Sequence, residues 1–126
     1  MPQLTLIISQ NIHANLINFK SLFEMIHDAL RIVPNMDVNT AYSGVIQESY
    51  SYIGLNNSKA AKVYLQLYWM ENEERAAMKS ALGKTLLEIL EHSIVPEVEE
   101  QGLICIPRVR IANLGSLNQS YFIGAG

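Results

Sequence analysis

The sequence predicts an α+β fold: two strand–helix–strand units whose four strands form one sheet, with two helices on one face. Three observations carry this. Apolar residues alternate with a period of two over residues 3–9 and 62–69. Each of these strands is followed closely by a stretch with helical periodicity. The order strand, helix, strand then occurs twice, which places four strands in one layer and both helices in another.

The first strand covers residues 3–9, with Leu4, Leu6 and Ile8 on one side and Gln3, Thr5 and Ile7 on the other. Gln10-Asn11 breaks it, and Asn15 is the expected N-cap of a helix reaching Val33. Leu16, Phe19, Leu22, Phe23, Ile26, Ala29, Leu30 and Val33 form its apolar stripe, and Pro34-Asn35 ends it. Residues 38–53 read as extended, with Tyr42, Gly44, Ile46, Glu48, Tyr50 and Tyr52 sharing a face. Gly54 to Ser58 is a turn.

The second unit opens on the clearest strand, residues 62–69, where Val63, Leu65, Leu67 and Trp69 alternate with Tyr64, Gln66 and Tyr68. Asn72 is the expected cap of the second helix, and Glu73 and Glu74 suit its positive end. Met78, Leu82, Leu86, Ile89 and Leu90 supply its stripe until Pro96 interrupts it near residues 93–94. A turn through residues 97–100 leads to Gly102 and a last strand over 103–111, where Pro107 suggests a sheet edge or an irregularity. The tail contains Tyr121-Phe122-Ile123, too apolar for a free end and expected to pack on a neighbour. The uncovered sheet face, with Thr5, Ile7, Tyr64 and Tyr68, calls for a partner subunit.

The chain has 126 residues, 49% hydrophobic and 17% charged, which predicts one domain over 1–126 with a real core. A net charge of −3, with scattered Lys and Arg, speaks against a nucleic-acid footprint. No apolar run approaches the ~20 residues of a membrane-spanning helix, and no signal-peptide pattern opens the chain. One cysteine, Cys105, makes no internal disulfide, so a reducing cytoplasm is the expected compartment. His13, His27 and His92 lack metal-ligand spacing, and neither a nucleophile elbow nor a phosphate loop is present.

Pro2 heads the first strand. Initiator methionine is commonly trimmed before a small residue, and its removal would expose a secondary amine held rigidly by its ring. The chain resembles the tautomerase superfamily, in particular the 5-carboxymethyl-2-hydroxymuconate isomerase family. The matching residues are Met1-Pro2-Gln3-Leu4-Thr5-Leu6-Ile7, Asn11-Ile12, Leu22-Phe23, the segment Gly83 to Leu90, and Leu117-Asn118. The resemblance implies a homotrimer with helices outside. It also implies keto–enol or allylic isomerisation of an unsaturated dicarboxylate, with Pro2 as acid/base and neither metal nor cofactor. An N-terminal amine in an apolar pocket favours its neutral form and so can take a proton from carbon next to a carbonyl.

Cations or hydrogen-bond donors must then hold the substrate carboxylate and the developing enolate. This chain has Tyr42 and Gly44 where the family's second strand carries arginines, and Arg75 stands near another family arginine. Tyr42, Arg75, Arg108 and Arg110 are thus the candidate substrate-binding residues. Each also has a plainer reading: Tyr42 as sheet packing, Arg75 in an ion pair with the neighbouring glutamates, and Arg108 and Arg110 in surface or intersubunit salt bridges. The alternative function is an inactive trimer of the same fold that binds a ligand or serves as a scaffold.

Overall fold

The computed structural model describes residues 2–114. Four strands and three α-helices follow in the order β1 (Gln3–Ile8), α1 (Phe19–Ala29), β2 (Tyr42–Gln47), β3 (Ala60–Trp69), α2 (Glu73–Ser93), α3 (Val95–Glu99) and β4 (Ile104–Asn113). The sheet order is β2-β1-β3-β4. Each strand–helix–strand unit closes a parallel pair, β1 with β2 and β3 with β4, and the two units join through antiparallel β1 and β3. The sequence-predicted α+β arrangement is therefore present, with β1 and β3 as the central strands.

Alternation in β1 and β3 decides where the core sits. Leu4, Leu6 and Ile8 are opposite Leu67, Leu65 and Val63, and all six are fully buried. Leu22, Ile26 and Leu30 from the first half and Leu82, Leu86 and Leu90 from α2 complete one core with them. Both helices thus lie on the same side of the sheet. The opposite face carries Gln3, Thr5 and Ile7 beside Tyr68, Gln66 and Tyr64, flanked by Tyr42 and Ile46 on β2 and Arg108 and Arg110 on β4.

Several boundaries move for local reasons. Helix α1 is capped by Asn18, not Asn15: its side chain accepts from Ser21 N at 3.1 Å. The chain before it makes a 3-10 turn at Ala14–Leu16, which brings Ile17 into the core. Strand β2 starts only at Tyr42 because Asp37 caps a second 3-10 turn, Val38–Thr40, through Asn39 N at 3.0 Å. It stops at Gln47, short of residue 53, since Glu48 turns back to Lys62 at 2.9 Å and to Ser51 at 3.0 Å. Tyr50 and Tyr52 are therefore exposed loop residues and not part of the sheet face.

Asn72 caps α2 as expected, accepting from Arg75 N at 2.8 Å. Pro96 opens the short helix α3, where a turn was expected, because the first helical turn needs no N–H from it. Gly102, at φ 82°, then reverses the chain into β4. Among the described residues strand β4 is an edge, where a strand proline such as Pro107 is tolerated. The apolar tail segment around Phe122 lies outside the described residues.

Candidate active site

Pro2 is buried at the start of β1, and its carbonyl accepts from Tyr42 N at 3.1 Å. Gln3 faces the helix-free side, so Pro2, one residue earlier, shares the helix side with Leu4. There it lines a cavity of about 30 Å³ with Trp69, Met70 and Arg75, closed by Asn35, Met36 and Asp37. Such a space holds a water-sized group. Trp69 arrives because β3 runs antiparallel to β1, with Tyr68 opposite Gln3. Arg75 arrives because α2 starts immediately beyond β3.

Arg75 is the cation that the structure brings to Pro2. It makes no ion pair with Glu73 or Glu74, contrary to the plainer expectation; in its place the guanidinium is held by backbone carbonyls. Nη1 donates to Met70 O at 2.6 Å and Nη2 to Asn35 O at 3.0 Å. Asn35 presents that carbonyl from a left-handed conformation, φ 58°. Cζ lies 6.0 Å from the centre of the Trp69 ring, a cation–π distance. The neighbouring acid, Glu71, pairs with Lys79 at 2.7 Å, and no carboxylate lies within ion-pair distance of Arg75 among the described residues, although Asp37 lines the same cavity.

Two buried donors of this group lack an acceptor among the described residues: Trp69 Nε1 and Arg75 Nε. Both belong to residues that line the Pro2 cavity. Buried donors are nearly always satisfied; a third buried polar atom without a hydrogen bond, Glu71 Oε1, lies between them in sequence, two residues after Trp69 and four before Arg75. Sequence reading missed Trp69 and the Asn35-Met36-Asp37 wall. The signal for Trp69 was its position at the end of β3, which becomes informative only once the β1–β3 pairing is known.

The other sequence candidates lie elsewhere. Tyr42 is 66% exposed on the opposite face, its ring folded over Gly44: its hydroxyl is 3.5 Å from where a Cβ on Gly44 would stand. It touches the site through its backbone alone. Arg108 and Arg110 line a cleft at the β4 edge, with Tyr64 and Lys84. His27 Nε2 lies 2.5 Å from Ser43 Oγ and ties α1 to the edge strand, and His92 Nδ1 is 2.7 Å from Glu88 O. Burial, with Glu99 adding a smaller effect, pushes the Cys105 thiol up to about 11, which removes it as a nucleophile at neutral pH. No group of three or more metal-ligating side chains occurs among the described residues, and no described helix is long and apolar enough to cross a membrane.

No family model and no curated relative matches the chain. Solved structures do. A 5-carboxymethyl-2-hydroxymuconate isomerase from Deinococcus radiodurans R1 is 20% identical with a TM-score of 0.65, covering 98% of this chain and 89% of that one. A 5-carboxymethyl-2-hydroxymuconate delta-isomerase is 14% identical with a TM-score of 0.70, covering 98% of this chain and 96% of that one. Leishmania major MIF2 is 14% identical with a TM-score of 0.56, covering 90% and 88%. At these identities the likeness is one of fold: the chain shares its architecture with these isomerase structures.

Proposed function

We propose that this chain is a cofactor-independent tautomerase or isomerase of a small unsaturated keto/enol acid, with Pro2 as the acid/base group. The observation that supports it best is the cavity shared by Pro2, Arg75 and Trp69, with two donors lacking an acceptor. In this reading Met1 is removed in the cytoplasm and the Pro2 ring nitrogen becomes a free amine. Burial and the guanidinium of Arg75 both disfavour its protonated form. The amine takes a proton from the carbon next to the substrate carbonyl; the electron pair of that C–H bond forms the C=C bond of the enolate as the C=O π pair moves to the oxygen. Arg75 Nε and Trp69 Nε1 donate to that oxygen as it gains charge. The Pro2 ammonium then returns the proton to oxygen or to the far carbon of the conjugated system.

A cavity of about 30 Å³ takes the reacting oxygen and not a whole substrate. The remainder lies outside it, bounded by a neighbouring copy in a homotrimer that covers the helix-free sheet face. Tyr42 and the arginines of β4 are candidates to reach the substrate carboxylate across that boundary.

A second reading is favoured by one observation: Tyr42 and Gly44 occupy β2 where the resemblance places arginines. In it the trimer keeps the fold, binds a ligand or serves as a scaffold, and does no chemistry. Intact-mass measurement of protein from its native host separates the two, because an uncut Met1 leaves Pro2 as an amide with no basic nitrogen. With Met1 removed, turnover of an enolisable 2-keto acid such as phenylpyruvate supports the enzyme. Unchanged turnover in Pro2→Ala overturns it.

A further inference from the structure

Strands β2 and β3 are joined by residues 48–59, which contain no helix or strand of their own. The usual connection in a compact domain is about 4–6 residues, and longer ones on a rigid scaffold often carry function. This one is fastened to the end of β1 and to itself. Glu48 N donates to Ile8 O at 2.9 Å, Gln10 N to Ser51 Oγ at 3.0 Å, and Asn11 Nδ2 to Ser58 O at 3.1 Å. Asn57 N closes the tip on Ile53 O at 2.8 Å. Asn56, at φ 60°, supplies the left-handed residue of that turn.

Between the loop and residues 10–11 lies a cleft of about 320 Å³, at the small end of ligand cavities. Its lining is polar and uncharged. Gln10, Asn11, Asn56 and Asn57 contribute side-chain amides, Ser51 and Ser58 contribute hydroxyls, and no Asp, Glu, Lys, Arg or His takes part. Tyr50 also lines it and is 74% exposed, a large ring that fills no core. Holding the loop uses only part of this set. Asn11 serves the frame, donating to Ser58 O and Ala60 O and accepting from Ser9 Oγ, and Asn57 Oδ1 accepts from Lys59 N at 3.1 Å. The side chains of Gln10, Tyr50, Asn56 and Ser58 make no hydrogen bond among the described residues.

We infer that this cleft binds a small neutral polyhydroxylated ligand, a single sugar ring or a polyol of that size. A side-chain amide presents donor and acceptor side by side, which matches a hydroxyl that both donates and accepts. The Tyr50 ring offers an apolar face to the C–H side of the ligand, with its own hydroxyl at the rim. An anion would leave water here with no opposite charge to meet, so carboxylates and phosphates are poor ligands. The cleft shares no lining residue with the Pro2 cavity, and no strand residue of the helix-free face lines it. The inference therefore stands whether or not Pro2 is catalytic and whether or not a neighbouring copy covers that face.

The test is saturation-transfer NMR on the whole protein, followed by titration. The probes are glucose, galactose, mannose, xylose and inositol, with glucose 6-phosphate and adenine as controls. At least one neutral probe is expected to bind with Kd on the order of 1 mM, and to bind more tightly than either control. Tyr50→Ala should weaken it by about tenfold. Asn56→Gly keeps the left-handed turn while removing the amide, and should weaken it by a similar factor. Pro2→Ala should bind as the parent does. The inference is overturned if no neutral probe binds, if adenine or glucose 6-phosphate binds more tightly than all of them, or if sugar binding survives both cleft variants. Should Tyr50→Ala fail to fold by circular dichroism, Asn56→Gly decides alone.

Discussion

Pro2 and Arg75 line one cavity, although one heads β1 and the other lies in the first turn of α2. Neither helix periodicity nor strand alternation requires this. It follows from the antiparallel pairing of β1 with β3, which brings the beginning of one unit to the end of the strand that precedes α2. The guanidinium is fixed there by backbone carbonyls and not by a carboxylate.

Removing the base is expected to be the largest single loss of activity. In protein beginning at Pro2, Pro2→Ala should lower kcat by about 10²–10⁴, the range for a positioned acid/base group. Steady-state kinetics checks this, with circular dichroism to confirm that the fold is retained.

The two orphan donors predict a smaller but separable effect. Arg75→Lys loses Nε and the paired carbonyl contacts; Trp69→Phe loses Nε1 while keeping an aromatic ring. Each should lower kcat by up to about 10²-fold, with KM changed less, since an oxyanion donor acts chiefly in the transition state. Equal loss through KM alone would place these residues in ground-state binding.

The core pair Leu6 and Leu65, opposite each other and fully buried, predicts stability without reference to function. Leu65→Ala should cost about 2–5 kcal/mol, read from the shift of the urea midpoint at constant m-value.

Glu48 makes a specific contribution to acid sensitivity. Its hydrogen bond from Lys62, at 2.9 Å, is the largest of the causes that hold its carboxyl below the usual range. A folded-state value below the unfolded one stabilises above the unfolded value, near 4.5, and is lost as pH falls through the folded one. Lys62→Met should therefore be less stable than the parent at pH 7, and the gap should close below about pH 4.5. With both side chains about one-third exposed, the gap should be below about 1 kcal/mol. Thermal melts of the two proteins across pH measure it.

Cys105 should react slowly with alkylating reagents. Raising the thiol from 9.0 to about 11 lowers the thiolate fraction at pH 8 by about a hundredfold. Iodoacetamide labelling should accelerate by that order when urea unfolds the chain.

Much of this molecule was legible in its residues. Alternation in β1 and β3, the stripes of α1 and α2, the Asn72 cap and the edge position of Pro107 are all local rules, each satisfied within a few residues of sequence. The boundaries that moved did so where side chains reached over distance. Glu48 turned toward Lys62 and ended β2, and Asn18 displaced Asn15 as a cap once Ile17 entered the core.

The candidate site divides the same way. Its composition placed Pro2, Tyr42, Arg75, Arg108 and Arg110 under consideration, and the strand pattern put Pro2 at the head of β1. Which of them meet was decided by sheet order alone. Pairing β1 with β3 brought Arg75 and Trp69 to Pro2, left Tyr42 on the other face, and carried Arg108 and Arg110 to the β4 edge. Local sequence determines which side of a strand a residue takes, because the backbone repeats every two residues. Which strands become neighbours depends on burying both apolar faces at once, and that is a property of the whole chain.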